Sequence, residues 1–83
     1  MYYVYVLQSK KNKKKYYGFT SKAVTERLAE HNAGGNSFTR QNGPFDIIYF
    51  EEYQDENFAR KRERFLKTGH GRAFLKRKLA EKL

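Results

Sequence analysis

The sequence predicts a small α/β domain of the α+β type: a three-stranded, mostly antiparallel sheet flanked by about three helices, in the order β-β-α-β-α-α. Aromatic and β-branched residues cluster in two N-terminal segments and in a third near the middle of the chain, which is typical of strands. Apolar residues recur at helical spacing in the segments between and after them. Because no linker or internal repeat interrupts this pattern, we expect a single domain over residues 1–83.

The first two strands are predicted to form a hairpin. Residues 2–7 lead into a polar turn at residues 10–15, which is lysine except for one asparagine, and residues 16–20 return. Alternate residues of a strand share a face, and both faces of the first strand are apolar, so we expect it to be covered on both sides. Antiparallel pairing brings Tyr5 near Tyr16, beside a strongly cationic turn. This combination suggests phosphate as a binding partner.

The first predicted helix has an N-cap at Thr20 or Ser21 and runs to about residue 32, before two glycines. At about 100° per residue, Arg27 and His31 share one face with two apolar side chains, and the glutamates lie opposite. A helix that only covered a sheet would place Arg27 and His31 on the solvent side. They are therefore either long side chains reaching out from the edge of the apolar face or parts of a functional site, and both interpretations stay open.

Residues 32–44 are rich in glycine and predict a long loop. Its hydroxyl and guanidinium groups are possible phosphate contacts, Thr39 and Arg40 among them. Pro44 then marks the start of a third strand over residues 45–50.

A helix with Asp55 as its N-cap follows the third strand and ends at Thr68 and Gly69. Glu63 lies at the margin of its apolar stripe, from where a carboxylate can reach an inner cleft. Arg62 lies inside the stripe, and the sequence offers no functional account of it beyond an ion pair or an extended side chain. The last helix is predicted from about residue 71, and its many cations add to the basic surface.

Composition favours nucleic acid as the partner. Lysine and arginine total 18 against 9 acidic residues, a formal net charge of +9, and 17% of the residues are aromatic. Cations neutralise phosphates and rings stack on bases, so this balance suits nucleic acid better than an acidic small molecule. A basic protein that docks on ribosomes or on a membrane surface is the alternative.

The sequence also limits location and metal chemistry. There is no cysteine, no apolar run long enough to span a bilayer and no signal peptide, so we expect a cytoplasmic protein. Any metal must bind to oxygen or imidazole ligands. Most acidic residues lie at helix starts or on exposed faces, which leaves Glu63 available and favours one Mg²⁺ ion over a two-metal site.

Four segments together resemble the GIY-YIG endonuclease family, which includes the N-terminal nuclease domain of a DNA-repair excinuclease. Tyr3-Val4-Tyr5 is similar to the first motif and Tyr16-Tyr17-Gly18 to the second, while Arg27 with His31 is similar to the Arg-x-x-x-His helix motif. The segment around Glu63 is similar to that of the metal-binding glutamate. The likeness covers nearly the whole chain and is strongest to short, stand-alone, excinuclease-like bacterial members.

The resemblance implies a metal-dependent endonuclease that hydrolyses DNA, with RNA as another possible substrate, in repair or nucleic-acid processing. It implies that Glu63 binds Mg²⁺ or Mn²⁺ and that Arg27 neutralises charge on the phosphoryl oxygens. Tyr5, Tyr16 and His31 would surround the attacking water, and the sequence does not say which takes its proton. A phenol, with a pKa of about 10, needs neighbouring cations to act as a base, whereas histidine titrates closer to neutrality.

Further residues are expected to contact nucleic acid through phosphate: Lys13, Lys14, Lys15, Thr39, Arg40 and Lys67. Simpler interpretations remain for the site residues: Tyr5 and Tyr16 as sheet aromatics, His31 as a core histidine, and Glu63 as the ion-pair partner of Arg27. A non-catalytic nucleic-acid-binding module on the same scaffold is the alternative function.

Overall fold

The computed structural model describes residues 1–34 and 37–81, except for the side chains of residues 38 and 39. It confirms the predicted α+β fold and adds one short helix, in the segment that the sequence predicted to be a loop. The elements in chain order are β1 (Tyr2–Ser9), β2 (Lys15–Thr20), α1 (Val24–Asn32), α2 (Ser37–Asn42), β3 (Phe45–Tyr53), α3 (Glu56–Leu66) and α4 (Gly69–Ala80).

The three strands form an antiparallel sheet in the order β2-β1-β3, so β1 is central and β2 is an edge strand. Tyr5 lies opposite Gly18 on one side and Phe50 on the other. Four consecutive β1 side chains, from Val4 to Leu7, are at most 1% exposed. The prediction that β1 is covered on both faces is therefore confirmed.

Each face of the sheet has its own core. On one face Val4 and Val6 pack with α3 and α4, where Ala59, Leu66 and Leu75 are buried. On the other face Tyr5 and Leu7 pack with Val24 of α1 and Phe45 of β3, with the partly buried Tyr3, Tyr16, Leu28 and Ile47 around them. The candidate site develops on this second face, because Tyr5, Tyr16 and α1 all lie there.

Several predicted boundaries were wrong by a few residues. Thr20 does not cap α1: its Oγ1 accepts a hydrogen bond from Lys22 N at 3.0 Å, and the helix starts later, after Ala23, without a side-chain cap. The strand β3 continues to Tyr53, beyond the predicted end at residue 50. Cross-strand hydrogen bonding to the long central strand extends it, which its own residue pattern does not reveal.

The caps of the two C-terminal helices explain where they begin. Asp55 accepts from Asn57 N at 2.8 Å, as predicted for the N-cap of α3. Thr68 accepts from Gly71 N at 3.1 Å and so starts α4 at Gly69, about two residues earlier than predicted. Among the residues that the structure describes, no helix is long and apolar enough to cross a bilayer.

Candidate active site

Tyr5 is the centre of the candidate site, and Gly18 makes room for it. The Tyr5 ring lies over its cross-strand neighbour Gly18, where an added Cβ would be 2.2 Å from Tyr5 Cζ and 2.3 Å from its hydroxyl. Those distances are far inside van der Waals contact, so only glycine fits beneath the ring. The sequence contained this glycine within its second motif, but the contact that requires it appears only when the strands are paired.

The hydroxyl of Tyr5 joins two residues of α1. It lies 3.0 Å from Nε2 of His31, and it accepts a hydrogen bond from Nε of Arg27 at 3.3 Å. Because a guanidinium only donates, the phenol proton is not used by Arg27 and can be donated to His31 in the tautomer whose Nε2 is unprotonated. Tyr5 and His31 are each 1% exposed, so this hydrogen-bonded pair is buried.

Burial sets the protonation of this pair. It lowers the pKa of His31 below the ordinary 6.5, and the charge of Arg27 acts in the same direction, against a smaller opposite effect of Glu30. Burial raises the pKa of Tyr5 above 10.0 and outweighs the hydrogen bond and charge of Arg27, which lower it. Arg27 does favour the phenolate, as the sequence predicted, but burial has the larger effect on the pKa of Tyr5. Near neutral pH the pair is a neutral phenol and a neutral imidazole.

Tyr16 covers the imidazole from the side. It lies opposite Leu7 in the hairpin, and its ring centroid is 4.6 Å from that of His31 with the planes at 59°. Its phenol is also close enough to Tyr5 for the two to interact electrostatically. Unlike Tyr5, Tyr16 is only partly buried, so one edge of this cluster reaches the surface.

Arg27 is held at the surface edge of the site by an acidic neighbour on its own helix. Its Nη1 donates to Glu30 at 3.2 Å, and Glu30 also accepts from Lys22 at 2.9 Å. The hydrogen bonds from Lys22 and Arg27 keep the pKa of the Glu30 carboxyl below its usual value. The ion-pair partner of Arg27 is thus Glu30 and not Glu63. With 34% of its side chain exposed, Arg27 still faces solvent.

Glu63 approaches the site from α3, whose apolar side packs on the other face of the sheet. Its side chain is 22% exposed and forms an ion pair with Lys67 at 3.6 Å, and its charge contributes to the raised pKa of Tyr5. Within residues 1–34 and 37–81, no three His, Asp or Glu side chains cluster tightly enough to hold a metal. A bound ion would therefore rely on Glu63, waters and substrate oxygens, a donor set that suits Mg²⁺.

The lysine turn presents its cations outward from a fixed backbone. Ser9 is 1% exposed, and its Oγ accepts hydrogen bonds from Lys11 N at 3.0 Å and Asn12 N at 3.1 Å. Asn12 in turn donates from Nδ2 to Oδ1 of Asn42, at the end of α2, at 2.7 Å. Sequence analysis missed these three polar residues, because the partner Asn42 is remote in the chain.

The residues predicted to contact nucleic acid lie in separate places. Lys13, Lys14 and Lys15 are exposed at the turn and the start of β2. Arg40 is exposed on α2, where its Nη1 lies 3.5 Å from the carbonyl oxygen of Gly34, and Lys67 pairs with Glu63. The side chain of Thr39 lies outside the described part of the chain.

Arg62, which lacked an account from sequence, anchors α3 to β3. Its Nε and Nη2 donate to the two carboxylate oxygens of Glu51 at 2.8 and 3.0 Å, and its guanidinium lies over the rings of both Phe65 and Phe74. The hydroxyls of Tyr49 and Tyr53 donate to the same carboxylate. This network fixes the helix that bears Glu63, the next residue in the chain.

Comparison with known protein families identifies the class of domain that this fold and cluster belong to. The model of the GIY-YIG catalytic domain family matches residues 1–78, and the chain belongs to that family, which implies a nucleic-acid substrate.

The chain is also similar to several small proteins named UPF0213. It is 37% identical over 68 residues to one from Clostridium perfringens, covering 81% of this chain and 71% of that protein. It is 39% identical over 63 residues to one from Listeria welshimeri, covering 75% and 68%. It is 37% identical over 68 residues to one from Natronomonas pharaonis, covering 81% and 78%. No solved structure matches the chain with comparable significance.

Proposed function

We propose that this protein is a metal-dependent endonuclease that hydrolyses phosphodiester bonds in DNA. The observation that supports this most directly is the convergence of four side chains on one phenol. Tyr5 is hydrogen-bonded to His31 and Arg27 and interacts electrostatically with Tyr16 and Glu63. These residues come from β1, β2, α1 and α3, so the folded chain, and not one local segment, assembles the cluster.

The exposure of each side chain to solvent decides which role we assign to it. Arg27, Tyr16 and Glu63 lie at the surface edge, whereas Tyr5 and His31 are buried behind them. A group that takes a proton from the attacking water must touch that water. We therefore assign the contact with the water to Tyr16, and we assign to the Tyr5–His31 pair the positioning of Arg27 and of the Tyr16 ring.

Arg27 supplies the positive charge that the phosphoryl oxygens need. As water attacks, a bond forms from its oxygen to phosphorus and the bond to the leaving oxygen breaks, while negative charge grows on the other two oxygens. The Nε of Arg27 is held by Tyr5 and its Nη1 by Glu30, so the guanidinium plane is fixed before substrate binds. Such preorganised donors stabilise a charged transition state without the cost of reorientation.

Glu63 would hold one Mg²⁺ or Mn²⁺ ion, which stabilises charge on the leaving oxygen when bound. The carboxylate suits this role because it is partly exposed and its ion pair with the exposed Lys67 is long enough, at 3.6 Å, to yield to a metal.

Low sequence specificity and a place in DNA repair or processing complete the proposal. The net charge of +9 and the exposed lysine turn act on phosphates, which are the same in every sequence. These features support binding along the backbone of DNA and do not by themselves select a base.

The test of hydrolysis is the nicking of supercoiled plasmid and of branched oligonucleotides with Mg²⁺, with Mn²⁺ and with EDTA. We expect nicking with either metal, none with EDTA, and a loss of at least about a hundredfold in the Arg27→Ala protein. Nicking that persists in EDTA, or an Arg27→Ala protein as active as the parent, would contradict the proposal.

A non-catalytic nucleic-acid-binding module is the second candidate, and the burial of Tyr5 and His31 favours it. Its lysines would bind phosphate and its exposed aromatic side chains would stack on bases. It predicts binding whose salt dependence is the same with or without Mg²⁺ and in Glu63→Ala, with no cleavage of any substrate.

A further inference from the structure

A cleft of about 330 Å³ opens between β2 and α4, on the opposite face of the sheet from the Tyr5 cluster. Its walls come from two strand residues and from one face of α4, and they are Lys15, Tyr17, Arg72, Leu75, Lys76 and Leu79. The four helix residues are spaced three and four apart, so they point to the same side of α4. The volume lies at the lower end of the range of pockets that hold small ligands.

The chemistry of the lining is that of a site for an anion with an apolar part. Three cations, Lys15, Arg72 and Lys76, surround a floor formed by the buried Leu75 and the partly buried Leu79. Across residues 1–34 and 37–81, no ion pair includes any of these three cations, whereas seven pairs form elsewhere. Three unpaired like charges around one cleft repel each other, and a bound anion would relieve that repulsion.

Tyr17 gives the cleft an aromatic wall. It is partly buried against the core, and the charge of Arg72 partly offsets the effect of burial, which raises the pKa of its phenol. The guanidinium and the ring are therefore close neighbours. A ring beside cations is the combination that binds a base and its phosphate, as in proteins that bind single strands.

The cleft and the proposed active site lie back to back across one strand. Lys15 and Tyr17 flank Tyr16 in β2, and successive residues of a strand point to opposite faces about 3.3 Å apart along it. Because β2 is an edge strand, no other strand in the described part of the chain blocks the way from one face to the other. A nucleic-acid strand at Tyr16 thus passes close to the entrance of the cleft.

We infer that this cleft binds a nucleotide of the substrate strand next to the scissile phosphate, with the base against Tyr17 and the phosphate among Lys15, Arg72 and Lys76. This inference rests on the proposed function, since the substrate strand is the one that the nuclease would cut. It assigns to α4 a direct role in holding one single-stranded nucleotide.

The experiment compares two double variants of the same helix. R72A/K76A removes two cations of the cleft, and R77A/K78A removes two exposed cations that do not line it. Binding of a labelled single-stranded oligonucleotide is measured by anisotropy in EDTA across a range of salt concentrations, so that no cleavage occurs. Thermal melts establish that both variants are folded.

We expect R72A/K76A to bind about tenfold more weakly than the parent at low salt. Two lost phosphate contacts on a single strand should also reduce the slope of log K against log salt by about 1.4. The R77A/K78A protein should keep the parental slope. Equal losses of affinity in the two variants would show that the oligonucleotide is attracted by general positive charge. An R72A/K76A protein that binds like the parent would show that the cleft does not bind the strand. Either result overturns the inference.

Nuclear magnetic resonance of the Tyr17 ring, assigned with Tyr17→Phe, identifies the occupant. The oligonucleotide should shift this resonance in the parent protein, and inorganic phosphate should not. A 5′-mononucleotide that shifts it as strongly as the oligonucleotide would make the cleft a free-nucleotide site and overturn the assignment to the strand.

These experiments distinguish a wrong assignment of the cleft from a wrong assignment of the hydrolase activity. If the parent never nicks DNA but R72A/K76A alone loses oligonucleotide binding, the hydrolase is rejected and the nucleotide site is retained. If the parent nicks DNA and the R72A/K76A protein binds the oligonucleotide as the R77A/K78A control does, only the nucleotide site is rejected.

Discussion

Gly18 lies directly opposite Tyr5 in the β1–β2 ladder, and the ring of Tyr5 occupies the space that a side chain at position 18 would need. Gly18→Ala must therefore push the ring and its hydroxyl away from His31. We expect a loss of about 1–3 kcal/mol in the free energy of unfolding by urea, the usual cost of overpacking, together with loss of nicking.

The control is Gly69→Ala, at the start of α4, where an added Cβ meets no atom within 4 Å. That protein should be unchanged or up to about 1 kcal/mol more stable, because alanine favours a helix over glycine. A Gly18→Ala protein as stable as the Gly69→Ala protein would contradict the close approach of Tyr5.

The hydroxyl of Tyr5 is predicted to position Arg27 and His31. Tyr5→Phe keeps the ring but removes the hydroxyl to which Arg27 and His31 are both hydrogen-bonded, so we expect the free energy of unfolding to fall by about 1–3 kcal/mol. Nicking should fall with it, because the Arg27 guanidinium is no longer held at Nε.

Tyr3→Phe is the matched control, since Tyr3 lies on the same face of β1 and its hydroxyl makes no hydrogen bond to the other residues that the structure describes. It should retain both stability and nicking. Equal effects of the two substitutions would remove the positioning role of Tyr5.

Much of this arrangement could be predicted from sequence, because it depends on local pattern. Alternation in β1 separated the two cores, and helical periodicity placed Arg27 and His31 together on the inner side of α1. Both follow from the geometry of one element and need no knowledge of its neighbours.

What sequence did not predict depends on remote contacts. The short helix α2 lies in a segment with few apolar residues, so its pattern resembles a loop. The network of Glu51 and Arg62 and the pinning of the lysine turn by Asn42 join residues far apart in the chain. The direction of the pKa shift of Tyr5 depends on burial, which becomes known only when the fold is known.

His31 should make stability fall in mild acid. Burial lowers its pKa in the folded protein below the ordinary 6.5, so on acidification the unfolded chain takes up this proton first. Stability due to neutral His31 is present above about pH 6.5 and declines as the pH falls below that value, by at most about 1.4 kcal/mol per pH unit.

Urea unfolding measured between about pH 8 and pH 5 follows this decline. The carboxyls of Glu30 and Glu51 do not contribute in this range, because their pKa values are lowered below 4.5. His31→Gln should lose the dependence, and His70→Gln, at an exposed position of α4, should keep it. A parent with constant stability across this range would contradict a buried neutral His31.

The contact of Arg62 with Glu51 should be the strongest ion pair among those described, because the two side chains are only 23% and 13% exposed. Arg62→Ala leaves a mostly buried carboxylate without its guanidinium partner, and we expect a cost of about 2–4 kcal/mol in urea unfolding. Arg60→Ala, on the same helix with a pair that is about half exposed, should cost less than about 1 kcal/mol.

Replacing both Arg62 and Glu51 tests whether the unpaired carboxylate causes the loss of stability. The double variant with Arg62→Met and Glu51→Gln should recover most of the lost stability, because no uncompensated charge then remains and the amide oxygen still accepts from Tyr49 and Tyr53. If the double variant is no more stable than Arg62→Ala, the contact of the guanidinium with the rings of Phe65 and Phe74 is the source of the effect, and not the ion pair.

Metal-dependent nicking by Glu63→Gln tests the proposed site most directly. Glutamine keeps the shape of the side chain but removes the charge that would bind the ion, and Glu52→Gln, at an exposed position of β3, is the matched control. The parent and Glu52→Gln should nick supercoiled plasmid with Mg²⁺ or Mn²⁺, and the Glu63→Gln protein, purified identically, should not. Equal nicking by all three proteins would contradict the assignment of Glu63 as the metal ligand.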